Sequence, residues 1–158
     1  MIRTPDALGT LDLSGLPEAQ RIAFYGALFA MSAADRSMDP VETDRIEETL
    51  DLGHLSPEAR KQVLSQAIHP QPLERCLLQL KDTSEEIRKG LMLNLIDVVL
   101  ADEAIEPGEH QGLLLARQML GLSYDDVALL HEAAYVAQRS GASKGIQRPI
   151  GLLPDADA

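Results

Sequence analysis

The chain has 158 residues and a mass of 17.2 kDa, a length that suits one domain with a real core. Against 14 Lys and Arg stand 25 Asp and Glu, for a net charge of −11, so phosphate backbones and anionic lipid surfaces are poor partners. One cysteine excludes a disulfide framework and a Cys-based metal site, and fits a reducing compartment.

The N-terminus, MIRTPDALGTLDLSG, lacks the basic start and apolar core of a signal peptide. The longest apolar stretch, LMLNLIDVVLA, is interrupted by Asn94 and Asp97 and is too short to span a bilayer. The expectation is a cytoplasmic protein without membrane insertion.

Residues 1–17 carry Pro, Gly and Asp at short intervals and predict an arm. From Pro17 onward Ile22, Phe24, Tyr25, Leu28, Phe29 and Met31 follow helical spacing. Asp39-Pro40-Val41-Glu42 opens a second helix, with a capping Asp, a Pro at the first helical position and a Glu three residues past the cap. Ser56-Pro57-Glu58 opens a third in the same way, to about Ile68. Pro70 and Pro72 break it, and a short helix follows from Leu73 to Leu80. Thr83-Ser84-Glu85-Glu86 caps a long helix through Ile87, Leu91, Leu95 and Val99. Glu106-Pro107-Gly108-Glu109 opens one ending near Gly121, and Ser123 caps the last, through Val127, Leu130 and Ala134. No segment alternates apolar and polar residues, so no strand is predicted. The fold class is all-α, with about seven helices joined by short loops. The ordered domain is expected over 18–139. From Ser140 to residue 158 periodicity is lost and a flexible tail is expected, although Ile150-Gly151-Leu152-Leu153 is apolar for a solvated segment and its simplest role is packing on the parent domain.

Two stretches superpose at a constant offset of 67 residues, about 24–59 on 91–126. Ala34-Asp35-Arg36-Ser37-Met38-Asp39-Pro40-Val41-Glu42 matches Ala101-Asp102-Glu103-Ala104-Ile105-Glu106-Pro107-Gly108-Glu109. Leu28 aligns with Leu95, Ile46 with Leu113 and Leu55-Ser56 with Leu122-Ser123. Each copy reads as an apolar helix, a short loop and a second helix. Either half alone exposes an apolar face, so the two are expected to pack about a pseudo-two-fold axis. Residues 35–51 hold seven acids and two bases, and residues 91–110 five acids and no base, each net −5. Residues 52–90 are net +1.

Asp35, Asp39 and Glu42, with Asp102, Glu106 and Glu109, are therefore the candidate site. Local structure has uses for all of them. Asp39 and Glu106 stand at N-caps, Glu42 and Glu109 at the third helical position, and Asp35 and Asp102 where loop amides can donate to them. Three carboxylates in eight positions, doubled by the repeat, also repel one another unless neutralised, and oxygen-only ligands suit Ca²⁺, Mg²⁺ or Mn²⁺. The EF-hand pattern fails in both copies: its sixth position is Pro40 or Pro107 rather than Gly, and its twelfth is Ile46 or Leu113 rather than Glu.

Catalytic templates fail as well. His131-Glu132-Ala133-Ala134-Tyr135 lacks the second His of a zincin, no Glu-x-x-His pair supports a di-iron centre, and no GxSxG, GxGxxG or Walker loop occurs. Cys76 falls on the apolar face of a short helix, the place of a small core residue. His54 and His69 fall at helix ends; His110, beside Glu109, reads as a helical surface His or an extra ligand. The Arg60-Lys61 and Arg88-Lys89 pairs read as solvated faces.

The doubled pattern Ala-Asp-x-x-Met/Ile-Asp/Glu-Pro-x-Glu resembles the TerB-like (tellurite-resistance protein B) family, whose motif A-D-G-x-I-x-x-x-E also occurs twice in an all-helical domain. The resemblance covers about residues 18–138, and the motif positions that match are Asp35, Glu42, Asp102 and Glu109. Arg36 and Glu103 depart from it, standing where the family has Gly. The resemblance implies a bacterial tellurite-resistance and chemical-stress module that works beside membrane and cytosolic partner proteins, with the acidic motif as a metal or interaction site. Three functions follow as expectations. The first is a non-enzymatic module whose acidic loops hold a divalent cation or a basic protein partner. The second is a metal-dependent enzyme using the same carboxylates, and the third a helical scaffold with no metal. The sequence leaves a homodimer open.

Overall fold

A computed structural model of the chain describes residues 8–32, 52–100, 107–141 and 150–152. Six helices and two short strands make up these residues: β1 (Leu8–Thr10), α1 (Glu18–Ser32), α2 (Pro57–Ile68), α3 (Leu73–Leu80), α4 (Glu85–Leu100), α5 (Pro107–Met119), α6 (Tyr124–Ser140) and β2 (Ile150–Leu152). The architecture is helical, as the sequence predicts. The helix expected to open at Asp39-Pro40 lies outside the described residues.

α1 and α4 form the centre because they are apolar nearly all round, which leaves a helix no solvent face to keep. Residues Ala23 to Phe29 of α1 are buried in an unbroken run, as are Leu91 to Val99 of α4. α2 and α3 pack on α1, α6 packs on α4, and α5 bridges α3 and α4. Helix starts follow local chemistry. The Ser56 hydroxyl accepts from the Ala59 amide (3.2 Å) at the start of α2. Ser84 does the same for Ile87 (3.3 Å) at α4. Ser123 and Asp126 form a reciprocal capping box at α6. α6 ends at Gly141, whose φ of 79° is a left-handed cap that favours glycine.

Two arginines staple the central helices to the loops beside them. Arg21 donates from Nε to the Leu16 carbonyl (3.0 Å) and from Nη1 to the His54 carbonyl (2.7 Å). Arg88 donates from Nε to the Thr83 carbonyl (3.1 Å) and from Nη1 to the Leu120 carbonyl (2.8 Å). A planar, always-charged fork suits this task, since it satisfies two orphan carbonyls from fixed directions.

The strands correct the expectation that the chain contains none. β1 and β2 pair antiparallel, with Leu8 opposite Leu152, Gly9 opposite Gly151 and Thr10 opposite Ile150. The ribbon is pinned to α4 by Asn94, which is 1% exposed. Its Nδ2 donates to the Gly90 carbonyl (2.7 Å) and the Ile150 carbonyl (2.8 Å), while its Oδ1 accepts from the Ile150 amide (2.9 Å). The side-chain amide thus acts as a third strand for one residue. Leu11 fills the gap between helix and ribbon: a Cβ on Gly90 would stand 2.8 Å from one Leu11 methyl, and one on Gly151 3.2 Å from the other. Of the apolar run at 150–153, Ile150 is 4% exposed, so this part of it packs on the domain.

Candidate functional site

Of the six carboxylates that the sequence singles out, Asp35, Asp39, Glu42, Asp102 and Glu106 lie outside the described residues. Glu109 is the third residue of α5, within the first turn of a helix that begins with Pro107. The described structure bears on the surface where one of these segments leaves and the other returns.

That surface is a cleft of about 270 Å³ between the end of α1, the start of α3 and the first half of α5. Ala30, Met31, Leu73 and Leu115 form apolar walls; Glu74 and Gln111 add polar groups. Its floor depends on Gly112, where a Cβ would stand 2.9 Å from the Met31 methyl and 3.1 Å from a Leu73 methyl. Glycine at 112 therefore lets α5 lie against α1 and α3 at a distance that any side chain would widen. Met31 is the last residue but one of α1, and Gly112 the sixth of α5. At a rise of about 1.5 Å per residue, the first residue of α5 is within about 8 Å along its axis of Gly112. The point where residues 33–51 leave and the point where residues 101–106 return thus border one cleft.

Elsewhere the polar clusters hold the fold. The Glu18 carboxylate accepts from both the amide (2.8 Å) and the hydroxyl (2.9 Å) of Ser56, tying α1 to the loop before α2. The Ser56 hydrogen bonds hold this carboxyl below the usual carboxylate range. The Asp12 carboxylate accepts from the amide (2.9 Å) and hydroxyl (2.6 Å) of Ser14 and is lowered for the same reason. The His54 ring lies offset from that of Tyr25, centres 6.4 Å apart and planes inclined by 25°, and its Nδ1 stands 3.2 Å from Arg21 Nη1. Because Arg21 can only donate, Nδ1 is the acceptor in this contact. Buried Asp97 accepts from Gln138 Nε2 (2.7 Å) and joins α4 to α6. Lys89 bridges Glu85 (2.9 Å) and Asp126 (3.7 Å).

Cys76 is 2% exposed and burial pushes its thiol up to about 11, so it serves as a core residue rather than a nucleophile. His110 and His131 are exposed, and the amide of His69, at the end of α2, donates to the Ser65 carbonyl. Among the described residues no group of three or more His, Cys, Asp or Glu is arranged to hold a metal ion, and no helix is long and apolar enough to cross a membrane. Sequence reasoning misses the cleft, because its walls are ordinary core residues; the one advance signal is Gly112 inside an otherwise helix-favouring run.

No protein-family model, curated protein or solved structure matches this chain.

Proposed function

We propose that the chain is a non-enzymatic, TerB-like helical module of bacterial tellurite-resistance and chemical-stress systems, acting in the cytoplasm. In this reading its acidic interhelical loops bind a divalent cation, a protein partner, or both. The observation that carries the reading is the contact of Met31 with the Gly112 position, which brings the exit of one acidic segment beside the return of the other. Residues 35–51 and 91–110 together hold 10 of the 11 net negative charges. Carboxylates held near one another repel, and a bound cation or a basic partner surface relieves that repulsion.

The reading includes the two-fold repeat. Support comes from matched local chemistry at the 67-residue offset: α1 starts at Glu18 and α4 at Glu85, α2 at Pro57 and α6 at Tyr124. Ser56 and Ser123 cap equivalent helices, and Arg21 and Arg88 donate to the equivalent carbonyls of Leu16 and Thr83.

The test is thermal unfolding of chelator-treated protein with Ca²⁺, Mg²⁺ or Mn²⁺ at matched ionic strength. Specific binding gives a saturable rise in Tm with one ion that is lost in the Asp35→Lys/Asp102→Lys variant. An equal, unsaturating rise with every divalent ion reflects only screening of the −11 surface and refutes the cation site.

A further inference from the structure

The outer face of α6 carries the exposed aromatic groups of the described residues. The chain has only three Tyr, two Phe and no Trp. Phe24, Tyr25 and Phe29 are sealed inside α1, whereas Tyr124 and Tyr135 are 70% and 51% exposed. They are 11 residues apart, which at 100° per residue puts them within about 20° of one another on the helix, three turns apart. Ala128 lies between them on the same stripe and is exposed, as are His131, Glu132 and Arg139 along its edges. The buried side of the helix, Leu130, Ala133, Ala134 and Ala137, faces away from this stripe. Both rings are held: the Arg117 guanidinium stacks 4.1 Å from the centre of Tyr124, and Arg139 lies 5.6 Å from that of Tyr135. Arg117 Nη2 also donates to the Tyr124 hydroxyl (3.4 Å). Ordered tyrosines beside arginines are the residue types on which protein interfaces most depend, and ordering them beforehand lowers the entropy lost on binding.

The stripe is self-complementary when the helix is run against a copy of itself. Placing a two-fold axis between His131 and Glu132 brings Tyr135 over Ala128 of the second copy, a large side chain over a small one. It brings His131 to Glu132 of the second copy, and Arg139 to Tyr124 and Asp125 of the second copy. Acidic groups fill the first turn of α6 and Arg139 the last, so the antiparallel arrangement opposes unlike charges at both ends, while a parallel one would stack like on like. We propose that α6 is a homodimerisation helix, pairing antiparallel with α6 of a second copy through Tyr124, Ala128, Tyr135 and Arg139. A single helix pair buries less than a standard interface, so the association is weak, with a Kd on the order of 10–100 μM. It stands independently of the acidic loops, which lie on other elements.

Sedimentation velocity of the full chain from 5 to 500 μM, in 300 mM NaCl to screen the −11 charge of each copy, tests this. The expected result is a monomer–dimer equilibrium whose Kd rises at least tenfold in Ala128→Arg, a change at an exposed position that leaves the helical circular dichroism intact. Arg139→Asp and Asp125→Arg should each weaken the dimer, and the double variant should recover it, because the exchanged charges still meet across the axis. A protein that stays monomeric at 500 μM overturns the proposal. So does a dimer indifferent to Ala128→Arg, or one that the charge exchange fails to recover.

Discussion

Replacing Asn94 by Ala should undo the attachment of the terminal ribbon. The substitution removes three hydrogen bonds of 2.7 to 2.9 Å and leaves the amide and carbonyl of Ile150 facing an apolar wall. The Gly90 carbonyl keeps its helical partner, so its loss is minor. The two Ile150 groups are different: a buried donor or acceptor left unpaired costs about 1–3 kcal/mol, so the local penalty for both is roughly 2–6 kcal/mol. The ribbon can avoid that penalty by leaving α4, which exposes Ile150 and uncovers Leu11, 4% and 7% exposed in the native state. Each such side chain is worth about 1.5–3 kcal/mol when fully buried, so undocking costs a similar amount. The two routes converge on a loss of about 3–4 kcal/mol in urea unfolding, with loss of hydrogen-exchange protection at the Ile150 amide. The partner experiment is a chain ending at Gly141. If Asn94 acts through β2, Asn94→Ala should cost under about 1 kcal/mol in the shortened chain, and the two changes should be far from additive. Equal costs in the long and short chains would refute this account and make Asn94 a helix residue only.

Three other outcomes follow from the same contacts. Arg88→Met strands the carbonyls of Thr83 and Leu120 and should cost about 2–4 kcal/mol in urea unfolding; Arg88→Lys should recover less than half, since an ammonium cannot span both acceptors. The Glu18 carboxyl, depressed by Ser56, supports folding above its unfolded pKa near the ordinary 4.5, and that support is lost as pH falls through its lower native value. Carboxylate NMR titration should show the depression in the native chain and only its partial loss in Ser56→Ala, which removes the hydroxyl but keeps the Ser56 amide that lowers the carboxyl most. Cys76, with its thiol raised from the ordinary 9.0 to about 11, should react with iodoacetamide at pH 8 at least about a hundredfold more slowly in the native state than in urea; rapid native labelling would show that the α3 contact with α1 opens readily.

The helix starts were legible because capping is local chemistry. Ser56-Pro57, Ser84-Glu85 and Ser123 each announce a helix within four residues, and α2, α4 and α6 begin at those points. α3 is bounded by Pro72 before it and a two-residue turn after it, both readable in the same way. The ribbon was not legible. Leu8-Gly9-Thr10 and Ile150-Gly151-Leu152 are too short to show a period of two and carry glycine at their centres, and about 140 positions separate them. Their pairing is dictated from a third place, α4. Its clue was Asn94 itself: a lone amide in a stretch as apolar as LMLNLIDVVLA is bound to be buried, and a buried amide needs backbone partners. Within α4 it finds one, at Gly90; the other two had to come from another segment.

The candidate site was legible only in its charge. Repeated acids at a fixed offset are a property of the sequence, but the cleft between the end of α1 and the start of α5 is made by helix packing. Gly112 is the residue where the two meet. In the sequence it interrupts α5 with a poor helix former, which costs roughly 1 kcal/mol relative to Ala. In the fold its missing Cβ lets Met31 and Leu73 close against the α5 backbone, and so draws the start of α5 to the end of α1. A larger residue there would push these ends apart by the width of a side chain and separate the two acidic segments that depart from them. Gly112→Leu should then weaken any cation or partner that spans both segments while leaving the helical content intact. An Asp35→Asn change should weaken the same ligand without moving the helices. Measuring both by the divalent-ion melts separates the two contributions, the spacing set by α5 and the charge set by the repeat. Unchanged binding in Gly112→Leu would mean that one acidic segment suffices and that the cleft is incidental to it.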